Sequence, residues 1–424
     1  MKKIVKIMAL ALVLVMMASM FIACEPDQPT EKTKYTLTIW AAEKDQAMIK
    51  AMCDAYAKAN PQNEYKFLFG IQEENDTADK VLADVQAGPD IFSFPSDQIN
   101  RLFQSGALAR IGGELEATVK NNNTPESVDA ATLNIGGVDQ LYAYPSTGDN
   151  CYFVYYDKRV YTDASKLATL DAMLDTAQAS GKTVHFKLNN DGWYLSSFFF
   201  SNPDLKYNVS YDENMNETAV EINYNNAAGL EVMKSLRNYV SHPAMFPTSD
   251  DSKMTAGFTD GTAAAVVSGT WNRAVFEELL GENLGVCKLP TANIGGEQIQ
   301  LSGYMGYKLM GVNGYSQNKA EAHKLAAWLT NEQNQLIRFQ TRGFGPTNKN
   351  LVELPEVAND PVLSVVFEQA ALNRTQKGVP NAYWTPMGSL ITPIVTAVAE
   401  NKLDEITDAK LQEYLDALVD QIRK

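Results

Sequence analysis

From residue 35 onward the chain alternates short apolar runs with amphipathic stretches. Tyr35-Thr36-Leu37-Thr38-Ile39-Trp40 has the period of two that a half-buried strand requires. Between Asp45 and Asn60, Met48, Ile49, Met52, Cys53 and Tyr56 recur at helical spacing, and Pro61 ends the run. Tyr65–Phe69 reads as a second strand, and Thr77–Ala87 as a helix with Val81, Leu82 and Val85 on one face. Gly88-Pro89 is a turn that feeds a short buried strand, Ile91-Phe92-Ser93-Phe94. Strand–helix–strand–helix–strand predicts a parallel α/β sheet. A second such pattern follows Cys151–Tyr156. It has helices over Leu167–Ser180, Trp193–Phe200, Asn226–Tyr239 and Trp271–Leu280, strands at Thr183–Leu188, Ala263–Val267 and Gly285–Leu289, and a polar hairpin over 204–224. Tyr304–Asn313 is strand-like, Lys319–Gln340 is one long helical stretch, and from Asp360 to the end nearly everything reads as helix.

The N-terminus departs from this pattern. Lys2, Lys3 and Lys6 precede an uncharged apolar run that ends at Ala23-Cys24, the build of a secretory signal. Phe21-Ile22-Ala23-Cys24 resembles a bacterial lipobox, with Phe21 in place of the usual leucine. The resemblance implies removal of residues 1–23 and diacylglycerol on Cys24, with residues 24–33 as a polar, proline-containing tether. Two acyl chains hold a protein on a membrane where one is marginal. Cleavage takes the formal charge from −15 to −18 by removing three lysines. An acidic balance of this size argues against a nucleic-acid surface, which needs a basic footprint. At 424 residues, 45% hydrophobic and 21% charged, the chain is an ordinary globular protein of two or three domains.

Familiar reactive chemistry is scarce. Only His185, His242 and His323 are available, and no C-x-x-C or Cys/His cluster exists, so a structural zinc site is not expected. Neither G-x-G-x-x-G nor G-x-x-x-x-G-K-[ST] occurs, and no histidine accompanies a G-x-S-x-G elbow. No cofactor is expected. Cys53, Cys151 and Cys287 sit in apolar patterns and read as buried free thiols. Ligands of open parallel sheets lie beyond the carboxyl ends of the strands. That rule points to Trp40-Ala41-Ala42-Glu43-Lys44 and to Phe94-Pro95-Ser96-Asp97, loops that each combine an aromatic with a carboxylate.

An ordered set of segments carries a family resemblance: Thr38-Ile39-Trp40, Gly88-Pro89-Asp90-Ile91, Gln104-Ser105-Gly106-Ala107-Leu108, Tyr144-Pro145, Tyr155-Tyr156-Asp157-Lys158, Phe258-Thr259-Asp260-Gly261, Ser268-Gly269-Thr270-Trp271 and Leu289-Pro290. The chain resembles an extracellular solute-binding protein of the maltose/maltodextrin type, the receptor of an ABC importer, from about residue 35 to 424. The resemblance implies an α/β, two-lobe periplasmic-binding-protein fold (type II) with the ligand between the lobes. It implies a first lobe over 34–147 plus 304–347 and a second over 150–300 plus 350–424. It further implies a monomer with no catalytic role, anchored outside the cell membrane, with an oligosaccharide and the permease subunits as partners.

The residue types suit a sugar. A pyranose has an apolar face that stacks on an aromatic ring, and a belt of hydroxyls that carboxylates accept through charge-assisted bonds. Carried over residue by residue, the resemblance implies ligand contacts at Glu43, Lys44, Phe94, Asp97 and Asp149 in the first lobe. In the second it implies contacts at Asp191, Trp193, Trp271, Tyr383 and Trp384. The acids are expected to stay ionised. Gln98 stands where the family has a basic residue, and Phe94 where it has tryptophan. Read without the resemblance, Glu43 is a helix-start acid, Asp149 is a turn residue, and Trp193 and Trp271 divide evenly between core and cleft. Xylo- or galacto-oligomers remain open as ligands, as does a surface glycan-binding role without transport. A glycosidase would need two carboxylates at a set separation, with one pKa raised, which sequence does not show. Ferric iron on Tyr155-Tyr156 is disfavoured because adjacent strand residues face opposite sides.

Overall fold

In a computed structural model, residues 31–424 are described, apart from Ser201 and Ser249. The signal segment, Cys24 and most of the tether lie outside the described residues. The strand Thr33–Ala41 pairs in parallel with Asn63–Ile71 on one side and with Ile91–Pro95 on the other. Tyr304–Val312 runs antiparallel to Ile91–Pro95 and, between Gly306 and Met310, to Tyr144–Asn150, and its first two residues pair with Arg374–Thr375, completing a six-stranded sheet. Ile91–Pro95 is buried throughout, as expected of a central strand covered on both faces. The helix Gln46–Ala59 covers this sheet with Met48, Ile49, Met52, Cys53 and Tyr56. A second, five-stranded sheet runs Met245–Phe246, Thr183–His185, Ala263–Ser268, Phe153–Asp157, Leu284–Cys287.

Each sheet has its own hydrophobic core, so the molecule is a two-lobe α/β protein. One strand joins the two cores. Tyr304 packs in the second lobe's core, whereas Leu309, Met310 and Val312 of the same strand pack in the first. Tyr144 likewise belongs to the first core and Tyr152, eight residues on, to the second. The closing helix Asp408–Ile422 starts at a Thr407 cap and buries Leu411, Leu415, Leu418, Val419 and Ile422 in the second lobe. Leu415 is fully buried. Leu415→Ala is expected to cost about 2–5 kcal/mol through lost burial and the cavity left behind, read as a lower urea midpoint with unchanged slope.

Three elements differ from the sequence pattern. The long stretch 319–340 is two helices, Lys319–Leu329 and Glu332–Arg342, because the Asn331 side chain accepts from the Asn334 N–H and starts a new helix. Trp193 belongs to a four-residue helix, Gly192–Leu195, that tightens into a 3-10 turn. Arg374–Thr375 interrupts the helical tail with a strand that docks on Tyr304–Met305. Among the three cysteines, Cys53 and Cys151 are buried free thiols, whereas Cys287 is partly exposed.

Candidate functional site

The junction between the lobes is built from turns at strand ends. Asp191 caps the short helix by accepting from the Trp193 and Tyr194 N–H groups at 3.0 and 3.2 Å, which fixes where the Trp193 indole starts. Gly192 lets this helix press against Asn381–Ser389; a Cβ there would lie 2.6 Å from the Trp384 carbonyl oxygen. Trp271 opens from the turn Thr270–Asn272, directly after the buried strand Ala263–Ser268. Its ring lies over Gly269, where a Cβ would come within 2.0 Å of it. Trp193 and Trp271 are both half-buried, with ring centroids 5.9 Å apart at 46°. Tyr152 meets Trp193 edge-on at 4.6 Å. The result is an aromatic corner on the second lobe.

Polar groups from the first lobe and the crossing strands reach this corner. Asp97, in the turn Ser96–Gln98, accepts from Gln98 Nε2 at 2.6 Å and from Gln376 Nε2 at 2.5 Å. Gln376 Oε1 in turn accepts from Trp193 Nε1 at 3.2 Å and from Asn150 Nδ2 at 3.0 Å. One glutamine therefore ties a first-lobe carboxylate to a second-lobe indole. Asp149 accepts from Thr270 Oγ1 at 2.7 Å and from the Gly345 N–H at 3.0 Å, so a crossing strand holds the turn that carries Trp271. Beneath lie ion pairs between Lys308 and Glu74 and between Arg342 and Asp45, with Arg338 buried beside them. Asp45, Glu74, Lys308 and Arg338 line a small cavity of about 10 Å³ together with Thr147, Trp271 and Phe344.

Burial is the main force on these acids. It pushes Asp97 up to about 7, against the lowering effect of the Gln376 and Gln98 amides. It raises Asp149 despite Thr270, and Asp191 despite Lys187 at 3.2 Å. The expectation that every acid stays ionised is not met at Asp97, where burial outweighs the two amides and the lowering influence of Arg101. A folded pKa above the unfolded value means that the native state binds more protons, so stability rises as pH falls through it. Between pH 8 and 6 this one group should add about 1.4 kcal/mol. Asp97→Asn should remove that slope from urea titrations run across the range.

The sequence-derived residues divide accordingly. Asp97, Asp149, Asp191, Trp193 and Trp271 come together at the junction. Trp384 is half-buried and meets Tyr304 edge-on at 5.2 Å. Glu43 and Lys44 are exposed on the turn Glu43–Asp45, and the Glu43 N–H donates to Glu73 Oε1 at 3.2 Å. Two assignments are corrected. Phe94 is fully buried in the first core, 5.7 Å from Phe92, and offers no open face. Tyr383 is fully buried in the second core, its hydroxyl 2.7 Å from Ser196 Oγ. Sequence reading missed Asp45, Glu74, Lys308, Arg338, Arg342 and Gln376. Of these, only Lys308 left a signal, as a charge inside an apolar strand.

Chemically, the arrangement offers flat rings beside neutral amides and carboxylates. It suits a ligand with an apolar face and many hydroxyls. A family model described as bacterial extracellular solute-binding protein matches residues 51–364, about three quarters of the chain. The chain belongs to that family. It is thus a solute-binding protein rather than an enzyme, and the family's description places it outside the cytoplasm. Among the described residues no helix is long and apolar enough to cross a membrane. The solute-binding protein is 25% identical over 322 residues to the galactooligosaccharide-binding protein of Bacillus subtilis strain 168, covering 74% of each chain. It is 22% identical over 348 residues to the maltodextrin-binding protein MdxE of the same organism, covering 76% of this chain and 79% of that one. A solved structure with acarbose matches at 30% identity and a TM-score of 0.79, covering 92% of this chain and 99% of the other.

Proposed function

We propose that this solute-binding protein takes up a neutral oligosaccharide of the maltodextrin type between its lobes and presents it to an ABC permease. The observation that carries the reading is the Trp193–Trp271 corner edged by hydrogen-bonding groups from the first lobe and the crossing strands. Rings stack on the apolar sugar face while Asp97, Asp149 and Gln376 exchange hydrogen bonds with hydroxyls. The sugar contacts both lobes, so it binds the closed arrangement more tightly and shifts the population toward it. The ligand-binding set is Glu43, Lys44, Asp97, Asp149, Asp191, Trp193, Trp271 and Trp384, joined by Gln376. The lobes span 34–147 plus 304–347 and 150–300 plus 350–424. Cleavage before Cys24 and lipidation of it hold the protein on the outer face of the cell membrane.

Calorimetry against maltose through maltohexaose, with galacto- and xylo-oligomers in parallel, tests the ligand. Saturable binding of the α-glucan series is expected, and silence across that series overturns the maltodextrin assignment. A galactooligosaccharide is the second reading, favoured by the 25% identical relative that bears that name. Cys24→Ser should release the protein into the medium or periplasm; membrane retention of that variant would count against the anchor.

A further inference from the structure

A larger cavity lies away from the tryptophan corner, under the hairpin formed by Tyr207–Tyr211 and Glu217–Ile222. Its volume is about 790 Å³, within the range of small-molecule sites. Both lobes contribute walls. Asn100 comes from the first lobe, Tyr207 and Tyr211 from the hairpin, and Tyr304, Arg374 and Lys377 from the crossing segments. The hairpin tip is fixed to the first lobe, where Gln104 donates to the Met215 carbonyl and the Gly136 N–H donates to the Glu213 carbonyl at 3.0 Å.

The walls combine tyrosines with charged side chains that are already engaged. Tyr211 donates to the Gly378 carbonyl at 2.7 Å, which holds its ring along the groove. Tyr207 and Asn100 are each 8% exposed; the Tyr207 hydroxyl is buried without a hydrogen-bond partner, and the Asn100 amide faces the Tyr211 hydroxyl. The cations around the groove are already engaged. Lys377 pairs with Asp129 at 3.1 Å, Lys206 faces Glu221 at 3.9 Å, and the Arg374 guanidinium lies 4.7 Å from the Phe200 ring centre while donating to its carbonyl. An anion would find no uncommitted charge here. A hydroxylated ligand with a flat apolar face would find rings, an amide and, at Tyr207, a hydroxyl lacking a partner.

We propose that the groove under the hairpin is a further saccharide site, distinct from the tryptophan corner and touching both lobes. This inference rests on the reading of the protein as an oligosaccharide binder. The test is calorimetry with maltotriose, maltohexaose and galactotriose on the intact mature protein, with Tyr211→Ala, Asn100→Leu and Trp271→Ala as variants. Two saccharide equivalents per chain are expected. Tyr211→Ala and Asn100→Leu should each abolish one of them, or weaken it at least fivefold, and spare the other. A single event weakened at least fivefold by the groove variants and by Trp271→Ala overturns the distinct site, since one long sugar would then reach both places. A single event lost in Trp271→Ala but unchanged within twofold in both groove variants overturns the inference and leaves the cleft reading standing. Binding lost in the groove variants but intact in Trp271→Ala overturns the cleft reading and keeps the groove. If none of the three sugars binds, both fall. Melting curves for Tyr211→Ala and Asn100→Leu within a few degrees of the parent show that lost heat reflects the site.

Discussion

Trp271→Ala is expected to weaken oligosaccharide binding by about 1–3 kcal/mol, a five- to 150-fold rise in Kd. The size is taken from the measured worth of one base stacked on one aromatic ring. The effect should fall on binding more than on folding. The ring is only half-buried, and it rests on Gly269, whose missing side chain leaves room for it. Trp271→Phe should recover part of the loss, since a smaller ring still offers a flat face. Trp193→Ala should act similarly, but the double variant should fall short of the sum. The rings are 5.9 Å apart and share one surface, and neighbouring sites do not add. Calorimetry on the parent and these four variants decides it. An unchanged Kd in Trp271→Ala would remove that residue from the site.

Much of this architecture was legible because it rests on local periodicity. The buried run Ile91-Phe92-Ser93-Phe94 predicted a central strand, and it is one. That same run should have excluded Phe94 from the cleft, since a residue covered on both faces cannot present a ring to a ligand. The family resemblance pulled it outward, and the structure returns it to the core. Tyr383 failed for a related reason. Adjacent rings on one helix cannot both face the same way, and of Tyr383 and Trp384 only the second keeps an open surface. Gln376 could not be found from sequence. It lies in a short polar stretch, and its role depends on a two-residue strand that docks 70 positions away in the chain. The part-buried ion pairs were equally hidden, because Asp45, Glu74, Lys308 and Arg342 come from four separated elements and meet only when the crossing strands are in place.

Those ion pairs carry the second large expectation. Lys308→Met should destabilise the protein by about 1.5–3 kcal/mol at pH 8, the worth of a charge-assisted hydrogen bond lost from a part-buried pair. Lys308 stands on the strand shared by both cores and is paired with Glu74. Burial pulls its ammonium pKa down, but Glu74, Asp149 and Asp45 around it outweigh that and leave it raised. Methionine fills the aliphatic volume, so the loss reports charge rather than a cavity. The pH dependence separates this from a packing defect. Burial already raises Asp45 and Asp149, and Lys308 is one of the charges opposing that rise. Without it both acids should rise further and bind protons in the native state at pH values where the unfolded chain binds none. Stability of the variant should then recover as pH falls, so the deficit is largest at pH 8 and smaller at pH 5.5. Urea unfolding of both proteins at the two pH values gives the answer. A deficit below about 1 kcal/mol at pH 8, or one that does not shrink on acidification, would mean that the crossing strands are held by their apolar ends alone and that the paired charges are incidental to them.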